Sequence, residues 1–214
     1  MAKLTAPLLS FSASGTIAGV QTYSKWKGIN YVRQRVDPAN PNTAEQISTR
    51  SVFSFLMASY KVADSIFQEP WKAYAQGKPL TDRNAFAKFN VANLRPDTDL
   101  SALVFSPGNL GGLPPTISSV TNGDDQLTVN ISAPAAIPED WTIVAAQAAA
   151  IRDQDPHSGI LYTINAAEDE TSAYAVVITG LTANLYRVGA WLKWMRPDGK
   201  IAYSPSVLST GTPT

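Results

Sequence analysis

Residues 14–50 read SGTIAGVQTYSKWKGINYVRQRVDPANPNTAEQISTR. Two short runs rich in β-branched and aromatic residues, 19–26 and 29–36, meet at Lys27-Gly28, and a glycine-containing turn between such runs predicts a β-hairpin. The prolines of the stretch 37–42, DPANPN, hold the residues before them out of the α region. Thr43 and Gln46 then have the spacing of a capping box. A hairpin followed at once by a capped helix sets the first half of the chain as α+β.

Downstream, Ile47, Val52, Phe53, Leu56, Met57, Tyr60, Ala63, Ile66 and Phe67 recur at three- and four-residue spacing, which predicts one helix over about 44–68 with a broad buried face. Pro70 should kink or restart it, with Trp71, Tyr74 and Ala75 continuing the apolar face. Thr81 or Asp82 caps a third helix running to Leu94, with Ala85, Phe86, Phe89 and Ala92 on one side. Upstream, residues 1–13 read as an extended arm whose Leu4, Leu8, Leu9 and Phe11 must lie on the chain's own body or on a neighbour. Pro7, Ser10 and Ser12 interrupt any signal-peptide core, and no run approaches the roughly 18 apolar residues of a membrane span.

The second half changes pattern. Residues 96–113 are rich in proline and glycine and read as a linker, with a possible edge strand over 100–105. Strands are expected at 116–120, 126–132, 141–152, 159–165, 172–178, 185–195 and 201–208, with a turn over 166–170. Seven short strands at such intervals indicate an antiparallel sandwich. The domain reading is an arm (1–13), a hairpin-plus-helix docking domain (14–95), a linker (96–113) and a sandwich (114–214).

Composition supports a folded chain: of 214 residues, 44% are hydrophobic and only 16% charged. There is no cysteine, so disulfides and thiolate metal or redox sites are excluded. The net charge of zero hides an asymmetry. Through Arg95 there are twelve basic and five acidic residues, and beyond it five basic and twelve acidic. Such polarity bears on association rather than on fold.

Catalytic patterns are weak. His157, the single histidine, lies in the stretch 153–159, DQDPHSG, where a turn ordinarily collects such residues. A metal would need Asp153 and Asp155 beside it, and the loop lacks the EF-hand ligand series. No Gly-x-Ser-x-Gly elbow and no phosphate-cradling loop with its lysine occur. The reading is therefore non-enzymatic, with no cofactor and no metal. The chemistry that stands out is the hairpin's: Lys25, Lys27, Arg33 and Arg35 with Trp26 and Tyr31 interleaved, a set suited to docking a protein surface. The competing account places the aromatics against the chain's own helices and leaves the charges to solvent. In the sandwich, Trp191 and Tyr186 are expected to fill the core, and Trp194 to be exposed as a possible ligand surface.

The second half resembles a fibronectin type III domain, through Pro115-Thr-Ile-Ser-Ser-Val, Leu127-Thr-Val-Asn-Ile-Ser-Ala-Pro and Ile178-Thr-Gly-Leu-Thr-Ala-Asn-Leu-Tyr-Arg-Val. Ile131 stands where that family usually has tryptophan. The first half, about residues 13–95, resembles a family of structural proteins of tailed bacteriophages and prophages. The matching residues are Ser14-Gly-Thr-Ile-Ala-Gly, Tyr23-Ser-Lys-Trp-Lys-Gly-Ile-Asn-Tyr-Val-Arg and Asn40-Pro-Asn-Thr-Ala-Glu-Gln. Arg50, Phe53, Trp71, Tyr74-Ala, Asn84-Ala-Phe and Asn90 complete the set. The resemblance implies a virion component, on the capsid surface or in the neck or tail. Its partners would be other virion proteins and further copies of itself. The alternatives are an adhesin-like glycan or receptor binder and, third, a nucleic-acid packaging protein.

Overall fold

The computed structural model describes residues 2–4, 13–37, 39–109, 113–137 and 139–214. The chain is α+β, with three helices and antiparallel sheets among the described residues, and it divides into two compact units, Met1–Asn42 and Thr43–Thr214.

The first unit is a four-stranded sheet of order β1-β4-β3-β2, comprising β1 (Ala2–Leu4), β2 (Gly15–Ile17), β3 (Gln21–Trp26) and β4 (Ile29–Gln34). The expected hairpin is β3–β4. Its turn residues Lys27 and Gly28 both have positive φ, 47° and 84°, the backbone that follows the twist of paired strands. The start of the arm pairs with β4, residue 3 opposite Tyr31. Leu8, Leu9 and Phe11 lie outside the described residues. None of the described residues from 13 to 37 is buried.

The second unit begins with α1 (Ala44–Val62), α2 (Ser65–Ala75) and α3 (Asp82–Leu94). Thr43 Oγ1 accepts the Gln46 N–H at 3.4 Å, and Thr81 Oγ1 accepts that of Asn84 at 3.2 Å, so both expected caps form. The break in the first helix falls at Ala63–Asp64, not at Pro70, which lies inside α2. Tertiary hydrogen bonds account for this. Asp64 donates its backbone N–H to Ile164 O (3.2 Å), and its carboxylate accepts the Ala166 N–H (2.7 Å). Gln68 Nε2 closes the end of α1 by donating to the carbonyls of Tyr60 and Ala63, groups a helix end leaves unpaired.

Eight strands follow: β5 (Thr116–Gly123), β6 (Gln126–Ser132), β7 (Thr142–Arg152), β8 (Asn165–Asp169), β9 (Ala175–Thr179), β10 (Tyr186–Met195), β11 (Ile201–Tyr203) and β12 (Val207–Gly211). One sheet is β5-β6-β9. The other runs β11-β10-β7-β8, with β12 also on β10. Two expectations are corrected here. Residues 159–164 form no strand, and the strand is instead β8, in the place read as a turn, because Asn165–Asp169 is the segment that pairs with β7. The run 201–208 is split at Pro205 into β11 and β12.

The larger sheet is covered on both faces. Toward β5-β6-β9, alternate residues Ala146, Ala148 and Ala150 of β7 and Val188, Ala190, Leu192 and Trp194 of β10 meet Leu127, Val129, Ile131, Val176 and Ile178. The opposite face carries Ala149, Ile151, Trp191 and Tyr203. It packs on Leu56, Tyr60, Phe67, Trp71 and Phe86 of the helices, large side chains contributing about 1.5–3 kcal/mol each on burial. The helices and the sheets therefore share one compact unit, and the expected division at residues 95 and 114 is replaced by one at Asn42/Thr43.

The stretch read as a linker is part of that core. Leu100, Leu103 and Phe105 are fully buried, yet they form no strand. Side chains satisfy the backbone instead. Asn90, itself buried, donates to Val104 O (3.2 Å) and accepts its N–H (2.6 Å), Trp71 Nε1 donates to Phe105 O (2.9 Å), and Ser206 Oγ accepts the Phe105 N–H. A buried segment needs such partners.

Candidate functional site

Cross-strand partners share a face of a sheet, so the register of the first unit sorts the expected docking residues. Trp26 pairs with Ile29, Ser24 with Tyr31, and Thr22 with Arg33 and Thr16. One face therefore carries Trp26, Ile29, Tyr31 and Arg33 among small hydroxyl residues. Lys25, opposite Asn30, falls on the other face with Tyr23 and Val32. Lys27 sits in the turn, its Nζ 5.9 Å from the centroid of the Trp26 ring. Arg35 lies beyond the end of β4. Its backbone N–H donates to Val20 O at 2.7 Å and its guanidinium pairs with Asp37 at 3.0 Å, an exposed pair of small energy. Of the six residues expected to act together, the sheet gathers Trp26, Tyr31 and Arg33. Trp26 is 68% exposed and Ile29, which sequence reasoning did not single out, 46%. Ile29 could have been found from its place, directly across a two-residue turn from Trp26.

Trp194 is not a surface residue. It is fully buried between the two sheets, because Val188, Ala190, Leu192 and Trp194 alternate onto the inner face of β10. That period-two signal was present in the sequence. Trp141, half-buried, has the Arg196 guanidinium 5.7 Å from its ring centroid.

His157 has one partner within its own turn and one that its sequence neighbourhood does not reveal. Its Nδ1 lies 2.9 Å from Asp155 Oδ1, and its Nε2 lies 3.0 Å from Ser48 Oγ on α1. Serine, imidazole and carboxylate are thus in the order of a nucleophile, its base and the group that orients the base. The Ser48 hydroxyl also faces the Arg95 carbonyl at 3.4 Å, an acceptor where acyl transfer requires donors for the developing oxyanion. What the arrangement does is tie the 153–158 turn to α1. Backbone and side-chain hydrogen bonds from His157 hold the Asp155 carboxyl below its usual range. Asp153 is committed elsewhere, to Arg187 at 2.9 Å and to the Leu100 N–H. Among the described residues, no group of three or more His, Asp or Glu side chains is placed to hold a metal.

A second polar network lies between α2 and the larger sheet. Glu69 Oε2 accepts from Gln147 Nε2, Tyr203 OH and Lys193 Nζ, each at 3.0 Å, and Gln147 accepts the Trp191 indole N–H at 2.7 Å. Burial alone would raise the Glu69 pKa, but the Gln147, Lys193 and Tyr203 donors outweigh it and hold it below the ordinary value. Burial and the adjacent Glu69 push the Tyr203 phenol up. Nearby, a shallow cleft of about 690 Å³ is lined by Ala73, Gln76, Asn109, Lys200, Ile201 and Tyr203. Its Asn109 is occupied in pairing with the Tyr203 backbone.

The first unit thus presents an aromatic sheet face bearing Arg33, and the second is a helix-backed pair of antiparallel sheets. Together they define an α+β protein built around two antiparallel β assemblies. Residues 12–177 match a family of unknown function, DUF6266, and the chain belongs to that family. No curated protein matches it. Among solved structures, a chain described as "Myokine structure" is similar to part of it, with 14% identity over 47% of this chain and 99% of that chain and a TM-score of 0.32.

Proposed function

We propose that this protein is a non-enzymatic structural component of a tailed-phage or prophage particle. It docks onto neighbouring virion proteins through the first unit and displays or bridges through the second. The observation that carries the reading is the sheet face on which Trp26, Ile29 and Arg33 are exposed beside a half-buried Tyr31. Aromatic residues and arginine dominate the energetics of protein interfaces. The resemblance of residues 13–95 to phage structural proteins supplies the setting. For the second unit the finer reading is a fibronectin type III-like sandwich carrying helices on one outer face. In its favour, Tyr186 at the start of β10 accepts the Thr182 N–H at 3.1 Å, the corner such sandwiches make between strands. Burial of Trp194 removes the ring surface on which the glycan-binding alternative stood.

The test is incorporation. Particles produced with Arg33→Glu/Trp26→Ala protein should carry it at least tenfold below wild type, and immunogold labelling of wild-type particles should place it on the capsid, neck or tail. Normal incorporation of the variant, or particles without the protein, would overturn the reading.

A further inference from the structure

We infer that the Trp26, Ile29, Tyr31 and Arg33 face docks onto the acidic second unit of another copy of this chain. The inference rests on the reading of that face as a docking surface and names its occupant.

A small sheet needs a hydrophobic face packed against something to be stable in water, and no side chain of residues 13–37 is buried. The Trp26–Ile29 pair forms an exposed apolar ledge, with Arg33 on the same face of β4. Charge selects the occupant. The first unit has five basic residues (Lys3, Lys25, Lys27, Arg33 and Arg35) against Asp37, whereas the second has twelve basic and sixteen acidic residues. The excesses are equal and opposite, so each further copy brings the matching charge in the matching amount. Topology also gathers acids at one end of the second unit. Glu139 and Asp140 lie one residue ahead of β7, before Trp141, and Glu170 follows β8. The first part of β7 pairs with the last residues of β8, Ala146 opposite Asp169, and all three acids are exposed. Of the bases at the matching end of β10, Lys193 is paired with Glu69 at 3.0 Å and Arg196 with Asp198 at 2.8 Å, and Lys200 follows in the turn before β11. The Arg33-bearing face of a basic unit meeting an acidic end is a heterologous contact, which propagates into a ring or a filament.

Sedimentation velocity on the full-length chain across a concentration series, in about 20 mM and about 500 mM salt, tests this, since exposed charge pairs are screened at the higher value. Concentration-dependent oligomers are expected at low salt. Arg33→Glu should weaken association at least tenfold, and adding Glu139→Lys, Asp140→Lys and Glu170→Lys to it should restore association. All variants change exposed residues, and circular dichroism checks that they stay folded. A chain that is monomeric throughout, or oligomers indifferent to both salt and Arg33→Glu, would overturn the inference. Loss without rescue would overturn the acidic end as the docking site. A monomer that still enters particles would remove this inference and leave the proposed function standing.

Discussion

The Phe105 ring occupies the space that a side chain at Gly189 would need: a Cβ built there overlaps the ring. Phe105 belongs to the irregular stretch after α3 and Gly189 to the middle of β10, so this pair fixes the connecting segment on the sheet. Gly189→Ala should destabilise the protein by about 1–3 kcal/mol through overpacking, and Phe105→Ala by about 3–5 kcal/mol through the cavity it leaves. Combining the two should cost less than the sum. Urea denaturation of the three variants measures this, and strict additivity would show that the two residues do not share the space.

Acid should weaken the clamp between α2 and the sheet. The Glu69 carboxyl is held below its ordinary value of 4.5 by Gln147, Lys193 and Tyr203, with Glu168 as the other acid facing Lys193. A depressed carboxylate contributes stability that is present above its unfolded value and is lost as pH falls through the folded one. Stability should therefore decline as pH drops below 4.5, and Glu69→Gln should be less stable at neutral pH with a flatter acid limb. Denaturation midpoints across that range decide it, and identical slopes would count against the account.

The break between α1 and α2 should depend on Asp64 and Gln68. Asp64→Ala removes the acceptor for the Ala166 N–H and Gln68→Ala exposes two helix-end carbonyls, each hydrogen bond worth about 1 kcal/mol net. Hydrogen exchange should show the Ala166 amide deprotected in Asp64→Ala and the last turn of α1 loosened in Gln68→Ala.

Trp194→Ala should behave as a core mutation, costing about 3–5 kcal/mol. Trp194→Phe should cost less, because the indole N–H has no acceptor among the described residues. Thermal denaturation separates this from a surface role, in which both variants would keep the wild-type midpoint.

The Ser48–His157–Asp155 arrangement should be structural. Hydrolysis of p-nitrophenyl acetate by the wild type should match that of Ser48→Ala and His157→Ala, while backbone amides of residues 153–158 exchange faster in both variants. Labelling of Ser48 by a fluorophosphonate, lost on His157→Ala, would reverse this assignment.

Much of the fold was legible where a signal is local. Lys27-Gly28 marked the hairpin turn because few residues accept two successive positive φ angles. Thr43 and Thr81 marked helix starts because capping lies within four residues of chain. Alternation marked β6 and β10, but the expectation that Trp194 is exposed set aside the same alternation, which puts it on the inner face with Val188, Ala190 and Leu192. What misled was composition read without partners. The run 159–165 looks like a strand, yet Asn165–Asp169 is the segment that pairs with β7.

By itself, then, the sequence determined the two kinds of β assembly, the three helical pieces, the basic aromatic hairpin and the opposed charges, since each follows from neighbours a few residues apart. Only the tertiary structure decided that the helices share a core with the larger sheet, that the helix breaks at Asp64, and that the supposed linker is buried. It alone placed Ser48 beside His157. The physical reason is common to all four: hydrogen-bond satisfaction and close packing join groups tens of residues apart. The run of alanines in β7, Ala145 to Ala150 around Gln147, shows it best. An apolar run reports that a strand is covered on both faces, but not what covers it.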